Sequence, residues 1–283
     1  MGRPTFEYIF TNGFDIEKET IENFSERTKD FAEAINVLIE MMYLDKNVPE
    51  DVNSNEYAFH SNVFSDCCDL PNAFCAGRLL MTRGYYSEAQ AHFRSLVEKL
   101  IKIRYFSKNK DRLEPYEKSM FPDLKEKMTD IEKEKIKIPS KNGKMKKLSI
   151  KDMFYAVTEE EGPYNFYSSI SRYVHKNSVC SSLMLNKLLK GRSYFILVPE
   201  FNEELAKYIF NLQLFLLFGY LNFLPSFFDY NWEEKDQLLL RYKEIKKVLR
   251  SYIIQNEVVN SEYFEWCKSI RLIVAEKDYD WNC

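Results

Sequence analysis

Glycine is scarce in this chain: it occurs only 8 times among 283 residues. An average soluble protein holds roughly 7% glycine, more than twice this share. Because tight turns with positive φ depend on glycine, a hairpin-rich β protein is disfavoured. Apolar residues instead recur at three- and four-residue steps over long segments, which is typical of amphipathic helices. The sequence therefore predicts an all-α fold, a single irregular bundle of about eight to ten helices with at most a minor β-strand or hairpin element.

The pattern along the chain predicts one helical domain over residues 1–283. A helical core is expected over about residues 70–177, and a charged loop over about residues 121–150 interrupts it. Further helices are expected over about residues 199–275. The first predicted helix runs from Asn23 to Leu44, where apolar residues form a single stripe.

Local signals mark the ends of several elements. Pro71 is predicted to open a helix that ends at Gly84. Ser149–Asp152 has the spacing of a capping box and predicts another helix start. Asn142–Gly143 is a turn signal within the charged segment, which is predicted to form a short helix followed by an exposed loop or small hairpin. The best strand candidate is the apolar run Tyr194–Val198.

Charge is nearly balanced overall but unevenly distributed. The net charge of −3 gives no overall attraction to nucleic acid. Between Leu124 and Lys151, however, there are 10 lysines against 4 acidic residues. Such a run could contact nucleic acid or an acidic partner, but few aromatic residues are interleaved to stack on bases. We therefore interpret it as a solvated charged surface, with nucleic acid as the alternative.

The cysteines and histidines do not indicate a metal site. The six cysteines have no framework spacing, and the N-terminal residues do not resemble a signal peptide, so we expect reduced thiols and a cytoplasmic protein. Cys67, Cys68 and Cys75 with His60 could be drawn as metal ligands, but no CxxC pair supports that site. His60 and His92 are instead expected at the surface or at a helix cap. No metal or other cofactor is expected, since glycine-rich phosphate loops and dinucleotide motifs are also absent from the sequence.

One uncharged stretch is long enough to cross a membrane. Tyr208–Phe228 contains 21 residues without a charge. It also contains Asn211, Gln213 and Pro225, and acidic residues rather than a basic cluster follow it. We interpret it as the buried central helix of a bundle and expect no membrane span.

Two predicted helices carry polar residues at helical spacing. Arg94 and Glu98 are four residues apart and share one face, as do Tyr167, Ser171 and His175 in succession. A carboxylate can orient an imidazole, and hydroxyl groups in a row with it can relay protons. We therefore take these five residues as candidate catalytic residues. The two helices are expected to pack together with these side chains within hydrogen-bonding reach.

The segments that carry these residues read SEAQAHFRSLVEKLIKIRYF, LSIKDMFYAV and YNFYSSISRYVHKN. Together they resemble a widespread bacterial family of helical proteins, a domain of unknown function. The core of that family has an Arg-x-x-x-Glu helix followed by a Tyr-x-x-x-Ser-x-x-x-His helix, and the five candidate residues match both elements. The resemblance covers about residues 70–177. It implies a helical fold and a site at these positions, without implying a reaction.

Two classes of function remain open. In the first, the chain is a hydrolytic or nucleolytic enzyme that uses His175. Helical ribonucleases of the HEPN superfamily carry an Arg and a His separated by four to six residues, whereas only two residues separate Arg172 from His175. Arg94 could supply the cation instead. In the second class, the polar residues satisfy one another and fix two helices in a non-catalytic helical module that binds a partner through an aromatic surface. The partner and the oligomeric state are left open, and a homo-oligomer is compatible with either class.

Overall fold

The computed structural model describes residues 6–43, 49–140, 142–174, 201–226, 236–257 and 261–281. These ranges contain twelve α-helices and one two-stranded antiparallel sheet, which confirms the predicted all-α class with a minor hairpin. The elements are α1 (Phe6–Asn23), α2 (Ser25–Met42), α3 (Asn55–Thr82), α4 (Tyr86–Ser107), α5 (Leu113–Lys118), α6 (Pro122–Lys125), α7 (Asp130–Lys135), β1 (Lys137–Pro139), β2 (Met145–Lys147), α8 (Ile150–Thr158), α9 (Gly162–Val174), α10 (Glu203–Phe223), α11 (Asp236–Glu257) and α12 (Ser261–Val274).

The N-terminal region holds one helix more than the sequence predicted. The predicted helix from Asn23 to Leu44 corresponds to α2, but α1 precedes it. Its sequence, FEYIFTNGFDIEKETIEN, contains glycine, asparagine and two threonines, whose low helix propensity obscures the pattern. Helix α1 forms because it packs against α2 and α3, and packing outweighs weak propensity.

The prediction that Pro71 opens a helix is wrong. Helix α3 runs for 28 residues with Pro71 in its interior. It begins after Ser54, whose side chain accepts a hydrogen bond from the Tyr57 amide at 3.0 Å. An interior proline removes one backbone hydrogen bond. The helix continues because Leu70 and Phe74 on either side are fully buried, and their burial offsets that loss.

Helix α3 ends at Thr82, and Gly84 stands just past this end in the C′ position that the sequence predicted. Gly84 has φ of +80°, a conformation that side chains disfavour. Its amide donates to the Met81 carbonyl at 3.0 Å, and the Tyr85 amide donates to Leu80 at 2.8 Å, so two carbonyls at the helix end are satisfied. The chain then reverses into α4, which packs along α3.

Helix α10 runs through the centre of the bundle and contacts α2, α3, α4, α11 and α12. It begins after Asn202, whose side chain accepts from the Leu205 amide at 2.9 Å. By length and composition alone it could cross a membrane, but 83% of its most apolar window is buried inside the fold. Its apolar side chains therefore face other helices, as expected for a central core helix.

The charged segment forms two short helices, α6 and α7, and the hairpin, in which Lys137 is paired with Lys147. Gly143 at the hairpin tip has φ of +73°. The predicted capping box at Ser149 and Asp152 is present and opens α8. The predicted strand Tyr194–Val198 lies outside the described residues. Both α8 and α9 pack on α4, and this arrangement brings the candidate residues of α4 and α9 together.

Candidate functional site

One hydrogen bond joins the two helices that carry the candidate residues. The Tyr167 hydroxyl in α9 donates to Oε2 of Glu98 in α4 at 2.8 Å. Tyr167 is only 4% exposed, so this bond lies largely away from water. The predicted contact between the two polar faces is therefore confirmed for Glu98 and Tyr167.

Arg94 lies on the same face of α4, one turn before Glu98. Its guanidinium carbon is 5.4 Å from the centroid of the Tyr167 ring, within the range of a cation–π interaction. Tyr167 is thus held by a carboxylate at its hydroxyl group and by a cation at its ring. Arg94 is half-buried, which strengthens both electrostatic contacts relative to bulk water.

The other two candidate residues are not placed by the structure. Ser171 follows Tyr167 by one turn in the backbone of α9, but its side chain lies outside the described part of the chain. His175 lies outside the described residues altogether. The structure therefore brings together Arg94, Glu98 and Tyr167.

Lys102 is a member of the site that the sequence analysis missed. Its Nζ is 3.2 Å from Oε1 of Glu98, so each carboxylate oxygen of Glu98 has its own partner. Nζ also lies 5.7 Å from the centroid of the Tyr116 ring. Arg94, Glu98 and Lys102 follow one another at four-residue steps, so the helical spacing that identified the first pair could have identified the third.

A row of aromatic rings extends from Tyr167 across the interface between α8 and α9. The centroid of the Phe154 ring is 5.0 Å from that of Tyr167, and the Tyr164 ring is 6.0 Å from Tyr167. Tyr155 follows at 6.4 Å from Tyr164. Lys151 closes the row, with Nζ 5.2 Å from the Tyr164 centroid. Because the rings pack on one another, this row fixes α8 against α9.

On the opposite side of Lys102 the polar groups continue towards α3 and α5. Lys99 and Asp66 form an ion pair at 2.9 Å, which links α4 to α3. Burial raises the pKa of the Glu117 carboxyl group in α5, although nearby Lys102 acts in the lowering direction. The site is thus one part of a band of charged and phenolic groups along α4, rather than an isolated constellation.

Comparison of the chain with protein-family models, curated proteins and solved structures found no match. The resemblance to the bacterial helical family stays a hypothesis.

The phenol of Tyr167 stays protonated at neutral pH. Burial and the adjacent Glu98 carboxylate raise its pKa to about 12, with Arg94 acting in the opposite direction. A protonated hydroxyl group that donates to Glu98 can act as neither a base nor a nucleophile. Glu98 and Tyr167 therefore form a hydrogen-bonded pair between the two helices, with the Arg94 guanidinium near the Tyr167 ring and its buried Nε without a hydrogen-bond partner among the described residues.

Alkaline pH should weaken the fold through its buried tyrosines. Burial is the leading cause that raises the pKa of Tyr116, Tyr167, Tyr242 and Tyr252 to about 12 each. A folded-state pKa above the unfolded value of about 10 means that the unfolded chain releases its protons first. The free energy of unfolding should consequently be fully retained below about pH 10 and fall between about pH 10 and pH 12.

Urea unfolding at successive pH values, with tyrosinate absorbance as a second signal, measures this loss. Tyr167→Phe should reduce the slope of stability against pH in that window, because one late-titrating phenol is removed. Tyr43→Phe, which alters an exposed ring, is the control and should leave the slope unchanged. An identical slope in wild type and Tyr167→Phe would contradict the assignment.

No group of three or more His, Cys, Asp or Glu side chains that could hold a metal occurs in the described part of the chain. Cys67 is buried, and burial raises the pKa of its thiol, whereas Cys68 and Cys75 are exposed. The prediction that His60 lies at the surface or a cap is wrong: it is buried in α3, with its ring stacked on Phe64 at 6.2 Å. The three cysteines and His60 therefore differ in exposure along the length of one helix.

Proposed function

We propose that this chain is a non-catalytic helical binding module in which Arg94, Glu98 and Tyr167 hold α9 against α4. One observation carries the proposal: both oxygens of the Glu98 carboxylate are occupied, by the Tyr167 hydroxyl at 2.8 Å and the Lys102 ammonium at 3.2 Å. These two contacts tie the Glu98 carboxylate to α9 through Tyr167 and to its own helix through Lys102. Such contacts are those of a carboxylate that positions helices.

The energetics of the network support the same proposal. A hydrogen bond to a charged group contributes roughly 1.5–3 kcal/mol to stability. The Tyr167 side of this bond is buried, so removing Glu98 leaves a buried hydroxyl group without this acceptor, which adds to the loss. Glu98 and Tyr167 are 69 positions apart in sequence, so their bond fixes a long-range helix contact.

The cytoplasm is the expected location, because the cysteine spacing of the sequence predicts reduced thiols.

The nucleolytic alternative depends on His175, with Ser171 on the same predicted helical face. The two proposals assign different roles to the five candidate residues, as holders of the fold or as catalytic groups. If the candidate residues are catalytic, replacing them should abolish turnover and leave the free energy of unfolding unchanged or raised. If they hold the fold, removing them should lower stability.

The test compares wild type with Glu98→Ala and His175→Ala in two assays, thermal unfolding and cleavage of single-stranded RNA. Glu98→Ala should lose about 1–3 kcal/mol, a drop of several degrees in Tm. The three proteins should show no difference in RNA cleavage. Glu244→Ala, which removes an exposed carboxylate in the interior of α11, is the matched control and should melt like wild type.

RNA cleavage by the wild type that disappears in His175→Ala, together with an unchanged Tm for Glu98→Ala, would reject the binding-module proposal in favour of the nucleolytic one.

A further inference from the structure

We infer that the charged segment between α5 and α8 is a docking surface for an anionic membrane. The contact surface, named here the lysine-rich face, comprises Phe121, Leu124, Lys125, Lys127, Lys144 and Met145. This inference rests on the proposed binding function and names its partner. It concerns attachment to the surface of a bilayer, with no spanning segment.

The first observation is an unusual concentration of exposed apolar side chains. Among the described residues, five of the twelve large exposed hydrophobic side chains fall between Met120 and Met145. The five are Met120, Phe121, Leu124, Ile131 and Met145, and they are 43–73% exposed. Exposed apolar side chains concentrated in one region and rimmed by polar residues mark interaction surfaces.

The second observation concerns which lysines have counter-ions. Lys133, Lys135 and Lys137 are each paired with a carboxylate, and so is Lys146 through Asp152 at 2.6 Å. By contrast, Lys125, Lys127 and Lys144 are exposed and have no ion pair with any described residue. Two of these lysines directly neighbour exposed apolar residues: Lys125 follows Leu124, and Lys144 precedes Met145. Two exposed carboxylates, Asp123 and Glu126, are interleaved with Lys125 and Lys127, and the excess of positive charge comes from the lysines further along the segment.

The third observation is that the hairpin lies beside the turn between α5 and α6. Lys147 in β2 donates through Nζ to the Ser119 carbonyl at 3.3 Å. This contact places the strand that carries Met145 beside the end of α5, two residues before Phe121. The hairpin that carries Lys144 and Met145 is therefore close to the turn that leads to Phe121, and α6 follows that turn directly.

This combination fits an anionic bilayer better than nucleic acid. Lysines near an anionic membrane gain electrostatic attraction, and apolar side chains between them gain by entering the boundary of the acyl chains. Nucleic acid would also bind the lysines through its phosphates, but sites for single strands add aromatic rings that stack on the bases. Phe121 is the only aromatic residue of the lysine-rich face. Leu124 and Met145 contribute nothing to stacking. Side chains that project into solvent also differ from the concave groove that receives a partner helix.

Co-sedimentation with lipid vesicles tests the inference. Wild type should bind vesicles that contain phosphatidylserine and should not bind vesicles of phosphatidylcholine alone. The triple variant Lys125→Gln, Lys127→Gln, Lys144→Gln should reduce binding on the order of 100-fold, since each lysine contributes to the electrostatic attraction. The triple variant Phe121→Ser, Leu124→Ser, Met145→Ser should reduce binding roughly 10-fold or more and leave the remainder fully sensitive to salt.

A matched control changes an equivalent set of exposed residues on α11: Leu240→Ser, Lys243→Gln, Lys247→Gln. It should bind vesicles like wild type, and all variants should melt within a few degrees of wild type. Absence of binding to anionic vesicles, or equal binding to neutral ones, would overturn the inference. So would binding to a single-stranded RNA oligonucleotide or to an acidic peptide in place of vesicles. Failure of vesicle binding while Glu98→Ala still lowers Tm would overturn this inference alone.

Discussion

Replacing Arg104 with methionine is expected to lower the free energy of unfolding by about 3–5 kcal/mol, because it leaves buried polar groups without partners. Arg104 is 3% exposed, near the end of α4. Its guanidinium donates to the carbonyl of Leu272 at 2.6 Å and to that of Ile273 at 2.8 Å. It also donates to the Glu276 carboxylate at 3.2 Å.

The two carbonyls lie in the last turn of α12, where backbone acceptors have no partner within the helix. A cation at this end of a helix also interacts favourably with the helix dipole. Burial lowers the pKa of Arg104 to about 10, with Glu276 acting in the opposite direction, so the side chain stays charged at neutral pH. Methionine keeps much of the apolar volume but supplies no donor, so the change isolates the polar contacts.

Urea unfolding of Arg104→Met beside Lys108→Met measures the effect. Lys108 is also paired with Glu276, at 3.7 Å, but it is 70% exposed, and such pairs contribute little. The free energy of unfolding of Arg104→Lys should lie between those of Arg104→Met and Lys108→Met, since an ammonium group keeps the charge but lacks the planar set of donors of a guanidinium. If Arg104→Met were no less stable than Lys108→Met, the assigned role of Arg104 would be wrong.

Gly219→Val is expected to lower the free energy of unfolding by about 3 kcal/mol, because the added side chain overpacks the core. Gly219 lies in α10 where this helix meets α4 and α12. A Cβ atom at this position would be 2.8 Å from Cδ2 of Leu100 and 3.0 Å from Cβ of Val274. Leu100 can adjust its side chain, but Val274 is fixed close to its backbone, so α12 would have to move.

Gly13→Ala is the matched control for a glycine inside a helix. A Cβ atom there would be 3.8 Å from its nearest neighbour in Arg83, an ordinary contact. This variant should therefore gain up to about 1 kcal/mol from improved helix propensity. Thermal unfolding of both variants gives the comparison, and a Gly219→Val protein as stable as wild type would contradict the close packing of these helices.

Sequence pattern predicts helices well here where the apolar stripe is strong and the ends carry capping residues. Helix α8 begins at its predicted capping box, and the chain leaves α3 through Gly84 with the positive φ that this glycine predicts. Pro71 misled the prediction because proline commonly opens a helix, whereas here burial of Leu70 and Phe74 sustains the helix through it. Packing of this kind cannot be inferred from local sequence.

The candidate site was predicted only in part, because the packing that buries a side chain cannot be inferred from local sequence. Four-residue spacing places Glu98 and Tyr167 on the inner faces of their helices, and the structure joins them. The same spacing does not tell which of several arginines is buried. Arg94 was chosen for its neighbour Glu98, but Arg104 is the more deeply buried, and its partners come from α12, 168 and 169 positions away in sequence. Contacts of that range depend on tertiary structure.

The central claim is that the bond between Glu98 and Tyr167 holds α9 against α4, and a double-mutant cycle tests it most directly. The cycle compares Glu98→Ala, Tyr167→Phe and the double variant with wild type in urea unfolding. A coupling energy of about 1–2 kcal/mol is predicted, since each single change removes the same hydrogen bond. Single changes that add to within about 0.5 kcal/mol would contradict the claim, because independent sites behave in that way.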